Sequence, residues 1–413
     1  MSTSLIQKAE RVLKTDISYV LRNGGWLLTG QIIVALFGFG LTIAFANLLP
    51  QQEYGVYKFI IAAGGLLAAI RLSGIRLAVT QAVARGAYGT VRHGLYLASR
   101  WNSLLILLSL AVALYYYLNE NHTLAIGILL IGIYNAVVGA LRVYRGYLAG
   151  TEQFRAGTIH DLVSTSIGSL GVLIALLYTD NVLILLAIGL FLPLTAIAWF
   201  SYRTFKIIPK DTPTSHSAIS FGKHTSAQNV LLAASVHLDK VVLFQWLGSV
   251  ELAVYAFALL IPDQVAGLFK SVLGIAVPKF ARKEKGDMRQ SIRTKIWQLT
   301  LLIAVPIGLY VLLAPYIFTF VFPAYVQAIW YSQIIILGLI MLPAVHLLTV
   351  YFDALQANRT LYKIKVSSSV IKITLILICT WTLGLLGAVI ALLLARAAAL
   401  MILSYYYFVD RAS

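Results

Sequence analysis

His237–Lys283 reads HLDKVVLFQWLGSVELAVYAFALLIPDQVAGLFKSVLGIAVPKFARK, and this stretch decides the fold. Two apolar runs meet at the short turn Gly248-Ser249-Val250-Glu251. Each run carries charge: Asp239 and Lys240 in the first, Asp263 and Lys270 in the second. A charge at the centre of a membrane helix costs about 2.5–3.5 kcal/mol on insertion scales, so it usually faces a wet cavity or a partner. The stretch also has an echo 198 residues earlier. Leu49, Glu53, Val56, Tyr57 and Phe59 match Leu247, Glu251, Val254, Tyr255 and Phe257 in register. The chain therefore reads as a doubled membrane protein with charge inside it.

Composition agrees. With 60% hydrophobic and 11% charged residues and a mean hydropathy of +0.85, the chain lies far from soluble domains. Its net charge of +17 forms no single patch, because the basic residues sit in turns between apolar segments. That distribution argues against a nucleic-acid partner. The single cysteine, Cys379, excludes a disulfide framework within the chain.

Twelve runs approach the ~20 residues that a bilayer requires. They lie near 24–49, 54–80, 97–118, 123–146, 158–178, 182–203, 225–246, 251–277, 296–321, 329–352, 361–380 and 385–408. Short connections and the need to satisfy backbone groups in lipid make them helices. Arginine and lysine fall in alternate connections, among them Arg85/Arg92/Arg100, Arg145/Arg155 and Arg203/Lys206/Lys210/Lys223. The intervening turns carry none, so both termini are expected in the cytoplasm.

The expected fold is an all-α integral membrane protein, with twelve transmembrane helices in two parallel-repeat six-helix lobes around a central cavity. Residues 1–23 form a cytoplasmic amphipathic N-terminus, with Leu5, Ile6, Ala9, Val12 and Leu13 opposite Lys8, Arg11 and Lys14. Residues 24–205 form the first lobe, 206–222 a polar linker and 223–413 the second lobe. A second echo, Leu148-Ala-Gly150 against Leu355-Gln-Ala357, supports the doubling at an offset of 207 residues.

Several motifs resemble those of a known family. Arg22-Asn23, Gly30-Gln31, Phe45-Ala-Asn-Leu-Leu-Pro50 and Tyr54-Gly-Val-Tyr57 resemble the start of bacterial polysaccharide repeat-unit flippases (O-antigen or exopolysaccharide) of the multidrug/oligosaccharidyl-lipid/polysaccharide (MOP) exporter superfamily. Leu238-Asp239-Lys240 with Leu252-Ala-Val-Tyr-Ala256 resembles the start of their second lobe, and Ala276–Arg282 the end of their eighth helix. The resemblance implies a multi-pass protein of the bacterial inner membrane. The implied cargo is an undecaprenyl-diphosphate-linked oligosaccharide, carried from the cytoplasmic to the periplasmic leaflet by alternating access, with polysaccharide polymerase machinery as a further partner.

The charges inside the spans are the candidate site. At 1.5 Å rise per residue, Arg71 and Lys270 sit roughly 25–27 Å from the outer ends of spans two and eight. They are one residue out of repeat register, and two such cations suit a diphosphate. Arg76, Lys372 and Arg396 are further substrate-binding candidates, while Lys58 is close enough to an outer end to snorkel. Asp263, next to Pro262, and Asp239 are candidates for coupling to protons or sodium, with an ion pair as the plainer role for Asp239. His237 and His346 read as packed side chains more than as relays. No cofactor is expected, and no nucleophile-plus-base or metal-ligand spacing occurs. An enzyme (a polymerase or glycosyltransferase) would need a large outer loop or a soluble domain, and every outer turn is short. A drug/cation antiporter of the same superfamily is the nearer alternative, but its cavity should be rich in carboxylates.

Overall fold

The computed structural model describes residues 17–209, 212–281, 285–355 and 357–412. The amphipathic stretch around Leu5–Lys14 lies outside them, as do Lys210, Arg282 and Lys283. Every regular element among the described residues is a helix. In chain order these are α1 (Ile17–Leu48), α2 (Gln51–Leu67), α3 (Ile75–Ala84), α4 (Gly89–Leu118), α5 (His122–Leu141), α6 (Tyr144–Gly150) and α7 (Phe154–Leu176). They continue with α8 (Val182–Ile207), α9 (His216–Leu247), α10 (Ser249–Ala281), α11 (Lys285–Val321), α12 (Ala328–Leu337), α13 (Leu342–Ala354) and α14 (Asn358–Ala412).

Ten stretches among the described residues are long and apolar enough to cross a membrane, and Ile33–Leu48 forms a shorter apolar helix. The tenth, Arg359–Val409, turns back at Gly384, whose φ of 60° and ψ of −136° are not helical. That backbone suits glycine, and it separates spans eleven and twelve at the expected place. Large apolar side chains such as Leu312, Phe320 and Trp381 are more than two-thirds exposed, as lipid-facing surfaces require.

Three spans depart from the continuous helices expected. Span two breaks between α2 and α3, after a 3₁₀ turn at Ala68–Ile70. Span four breaks at Arg142–Val143, between α5 and α6. Span ten passes through a 3₁₀ turn at Gly338–Met341. Span eight, by contrast, runs unbroken through Pro262.

The chain forms two compact units. One comprises residues 1–48 and 67–230, the other 49–66 and 231–413. The outer part of span two thus belongs with the C-terminal helices, a division that a cut at the 206–222 linker alone does not give. The first unit is centred on α3 and the α5–α6 break, with Ile75, Val79 and Val83 packed against Val138, Val143, Tyr144 and Tyr147. In the second unit aromatic pairs join α2 to α9, and α2 and α10 to the 3₁₀ turn Pro323–Tyr325 after α11. Phe257 stacks on Tyr325 at 3.7 Å and meets Tyr54 at 5.0 Å, while Phe59 stacks on Phe244 at 3.9 Å. Such pairs each add about 0.5–1.5 kcal/mol beyond area burial, which matters in lipid, where apolar surface gains little from association.

Candidate functional site

The first unit places Arg71 on non-helical backbone. Its φ of −61° and ψ of 153° are extended, and its N–H donates to the Ala68 carbonyl. The sequence Arg-Leu-Ser-Gly permits the break, and the surrounding side chains satisfy the groups that it frees. Trp101 Nε1 donates to the Ile70 carbonyl at 2.8 Å, and the Gly74 N–H donates to Ser226 Oγ at 2.9 Å. Gly74 also lets α3 cross the start of α9, since a Cβ there would collide with the Gly222 carbonyl and the Thr225 side chain.

Arg71 is half-buried, and its Nε reaches back to the Ala68 carbonyl at 3.3 Å. Its stem lies on Gly139 of α5, where a Cβ would come 3.0 Å from Arg71 Cδ and 2.8 Å from Asn102 Nδ2. Asn102 is buried; its Nδ2 donates to the Ala136 carbonyl at 3.1 Å, and its Oδ1 has no partner among the described residues. The charged group that Arg71 feels is Arg142, a like charge at the break of span four. Among the described residues no carboxylate forms an ion pair with it. Arg76 stands exposed on α3, one turn beyond the break.

In the second unit the charges are balanced in part. Asp239 is 3% exposed. Its Oδ2 accepts from the Tyr255 hydroxyl at 2.9 Å, and its Oδ1 accepts from the Lys240 N–H at 2.9 Å. Lys240 Nζ also turns back to within 3.6 Å of Oδ1. Neighbours on a helix leave on different faces, but four methylenes carry the ammonium around. Lys372 Nζ donates to the Ser235 carbonyl of α9 at 2.6 Å. Arg396 donates to the Ile335 carbonyl at 2.8 Å, and its guanidinium would lie 2.8 Å from a Cβ on Gly338. Asp263 is exposed on α10, with Lys240, Arg396, Asp239 and Lys270 as its charged neighbours. Lys270 is exposed on the same helix.

These positions refine the sequence reading. The helix of span two ends at Ile70, directly before Arg71, so Arg71 and Lys270 stand on unlike backbone. The Lys58 ammonium lies 5.0 Å over the Tyr54 ring, one turn back along the helix toward the end to which it was expected to reach. His237 is packed, its ring lying against Gly65. Arg142 and Tyr255 were not singled out as site residues. The trace of Tyr255 in the sequence is its repeat partner Tyr57, and Arg142 lies three residues before Arg145 of a basic connection. No group of three or more metal-ligating side chains occurs among the described residues.

Residues 20–283 match the profile of a family described as polysaccharide biosynthesis protein. No curated protein sequence is significantly similar. Among solved structures, an inward-facing MATE-family multidrug resistance transporter of the MOP superfamily superposes with a TM-score of 0.68, at 15% identity over 89% of this chain and 92% of that one. The lipid II flippase MurJ, in an inward closed conformation, gives a TM-score of 0.68 at 14% identity, over 92% and 86%. A MOP superfamily transporter from Pyrococcus furiosus, whose binding pocket is described as having reverse polarity, gives 0.61 at 15% identity, over 94% of each. Identities this low speak for the fold, and the family match spans well over half of the chain. The chain therefore belongs to the polysaccharide biosynthesis protein family, as a multi-pass membrane protein with the fold of these solved transporters.

Proposed function

We propose that the protein flips an undecaprenyl-diphosphate-linked oligosaccharide repeat unit from the cytoplasmic to the periplasmic leaflet of the bacterial inner membrane. The observation that carries this reading is Arg71. It is held on extended backbone within a span, beside the like charge of Arg142 and with no ion-paired carboxylate among the described residues. Positive charge without compensation at membrane depth calls for an anion, and a diphosphate is the fixed part of a polyprenyl-linked cargo. Guanidinium groups meet phosphate oxygens through paired N–H donors. Lys270, exposed on α10, supplies a further cation in this reading, and Arg76, Lys372 and Arg396 are secondary candidates. The two carboxylates differ: Asp239 is occupied by Tyr255 and Lys240, which leaves the exposed Asp263 to couple transport to protons or sodium.

The test is translocation of a fluorescent polyprenyl-diphosphate oligosaccharide in proteoliposomes. Loss of one charge-assisted contact of about 1.5–3 kcal/mol predicts roughly a tenfold to hundredfold loss for Arg71→Ala. Arg142→Ala and Lys270→Ala should also slow transport, and Lys270→Arg should keep much of it. Undiminished transport in Arg71→Ala and Arg142→Ala would refute the diphosphate assignment. A drug/cation antiporter would instead transport an organic cation and lose that transport in Asp263→Asn.

A further inference from the structure

A second cationic feature of the first unit lies apart from Arg71. A cleft of about 650 Å³ opens between the start of α7 and the end of α8, lined in part by Gln153, His160, Trp199, Tyr202, Arg203 and Lys206. Among the described residues that line it, none is acidic. The nearby carboxylate of Asp161 is engaged by Arg145, at 2.5 Å, so Arg203 and Lys206 are not neutralised from that side. Arg203 lies over the Trp199 ring, 4.9 Å from its centroid, and both Trp199 and Tyr202 are exposed. The floor of the cleft carries a polar atom without a partner. The His160 ring stacks on Phe200 at 3.8 Å, and its Nδ1 is buried with no hydrogen bond.

We propose that this cleft binds the phosphate of an anionic phospholipid of the cytoplasmic leaflet, with Arg203 and Lys206 as its cationic partners and His160 Nδ1 as a further donor. Exposed tryptophan and tyrosine at a span end mark headgroup depth, because each ring is apolar with a polar tip. Basic pockets between membrane helices at the arginine- and lysine-rich side select anionic headgroups. A soluble anion would gain nothing from the apolar walls supplied by Leu148, Phe200 and Ile207, whereas acyl chains leaving the cleft would cover them. The site is distinct from the one proposed for the cargo and does not depend on it.

The experiment is native mass spectrometry of the full-length protein, purified in detergent and titrated with phosphatidylglycerol, phosphatidylcholine or inorganic phosphate. The wild type should retain phosphatidylglycerol over phosphatidylcholine. In Arg203→Gln/Lys206→Gln that preference should fall about thirtyfold at one site, the expected effect of two cations near an anionic headgroup. Both side chains are exposed, so the variant should keep the wild-type Tm, and Arg203→Lys/Lys206→Arg should keep the lipid. Equal retention of phosphatidylglycerol by wild type and the Gln variant would overturn the proposal. So would displacement of the lipid by millimolar inorganic phosphate, which would reassign the cleft to a soluble anion.

Discussion

Asp239 and Asp263 illustrate how two carboxylates on neighbouring helices come to different ends. Asp239 is buried and takes hydrogen bonds from Tyr255 and the Lys240 backbone, so its charge is spent inside the unit. Removing the hydroxyl in Tyr255→Phe leaves a buried carboxylate oxygen short of a donor, at a cost of about 1–3 kcal/mol. We expect that variant to lower Tm measurably in a thermal-shift assay, and an unchanged Tm would mean that the hydrogen bond is dispensable. Asp263→Asn should leave Tm near that of the wild type, because its carboxylate is exposed, while slowing translocation under an imposed ion gradient. Equal rates in wild type and Asp263→Asn, with the gradient intact and with it collapsed, would give Asp263 no part in coupling.

Among the elements, the interruptions carry more information than the helices. Span number and position were legible in hydropathy, and Gly384 stands at the sharp turn that the apolar run required. The break in span two was not legible. Leu72 and Ile75 continue the apolar pattern, and Ser73-Gly74 is too common a pair to announce a break. Contacts distant in sequence settle it, since Trp101 and Ser226 satisfy the freed groups at Ile70 and Gly74. Arg142 escaped notice for a related reason. Its relation to Arg71 spans two helices and leaves no linear motif. Gly384→Ala should test the turn, because alanine is strained by about 1–3 kcal/mol at this backbone conformation. Lower Tm and yield of folded protein are expected, and wild-type values would show that the turn relaxes without glycine.

For the whole molecule, the alternation of basic and neutral connections sets an expectation that the fold alone does not supply. Reporter fusions at Ser217 and Gly286 should read as cytoplasmic, and those at Asn121 and Ser249 as periplasmic. A periplasmic signal at Ser217 would mean that the two six-helix halves enter the membrane from opposite sides, contrary to parallel repeats.

The interruption in span two also bears on ancestry. The fourth and tenth helices, echoes of one another in the doubled sequence, both depart from α-helix but at different depths, at Arg142–Val143 near the end of one and at Gly338–Met341 nearer the middle of the other. The second and eighth do not share this trait, since one is broken at Arg71 and the other continues past Lys270. The two halves also differ in their charges: Arg71 in the first has the like charge of Arg142 beside it, whereas the second mixes ammonium, guanidinium and carboxylate. A chimaera built from two first halves would carry Arg71 and Arg142 twice and lose Asp263 altogether. The halves are siblings whose trades have diverged, and neither can stand in for the other.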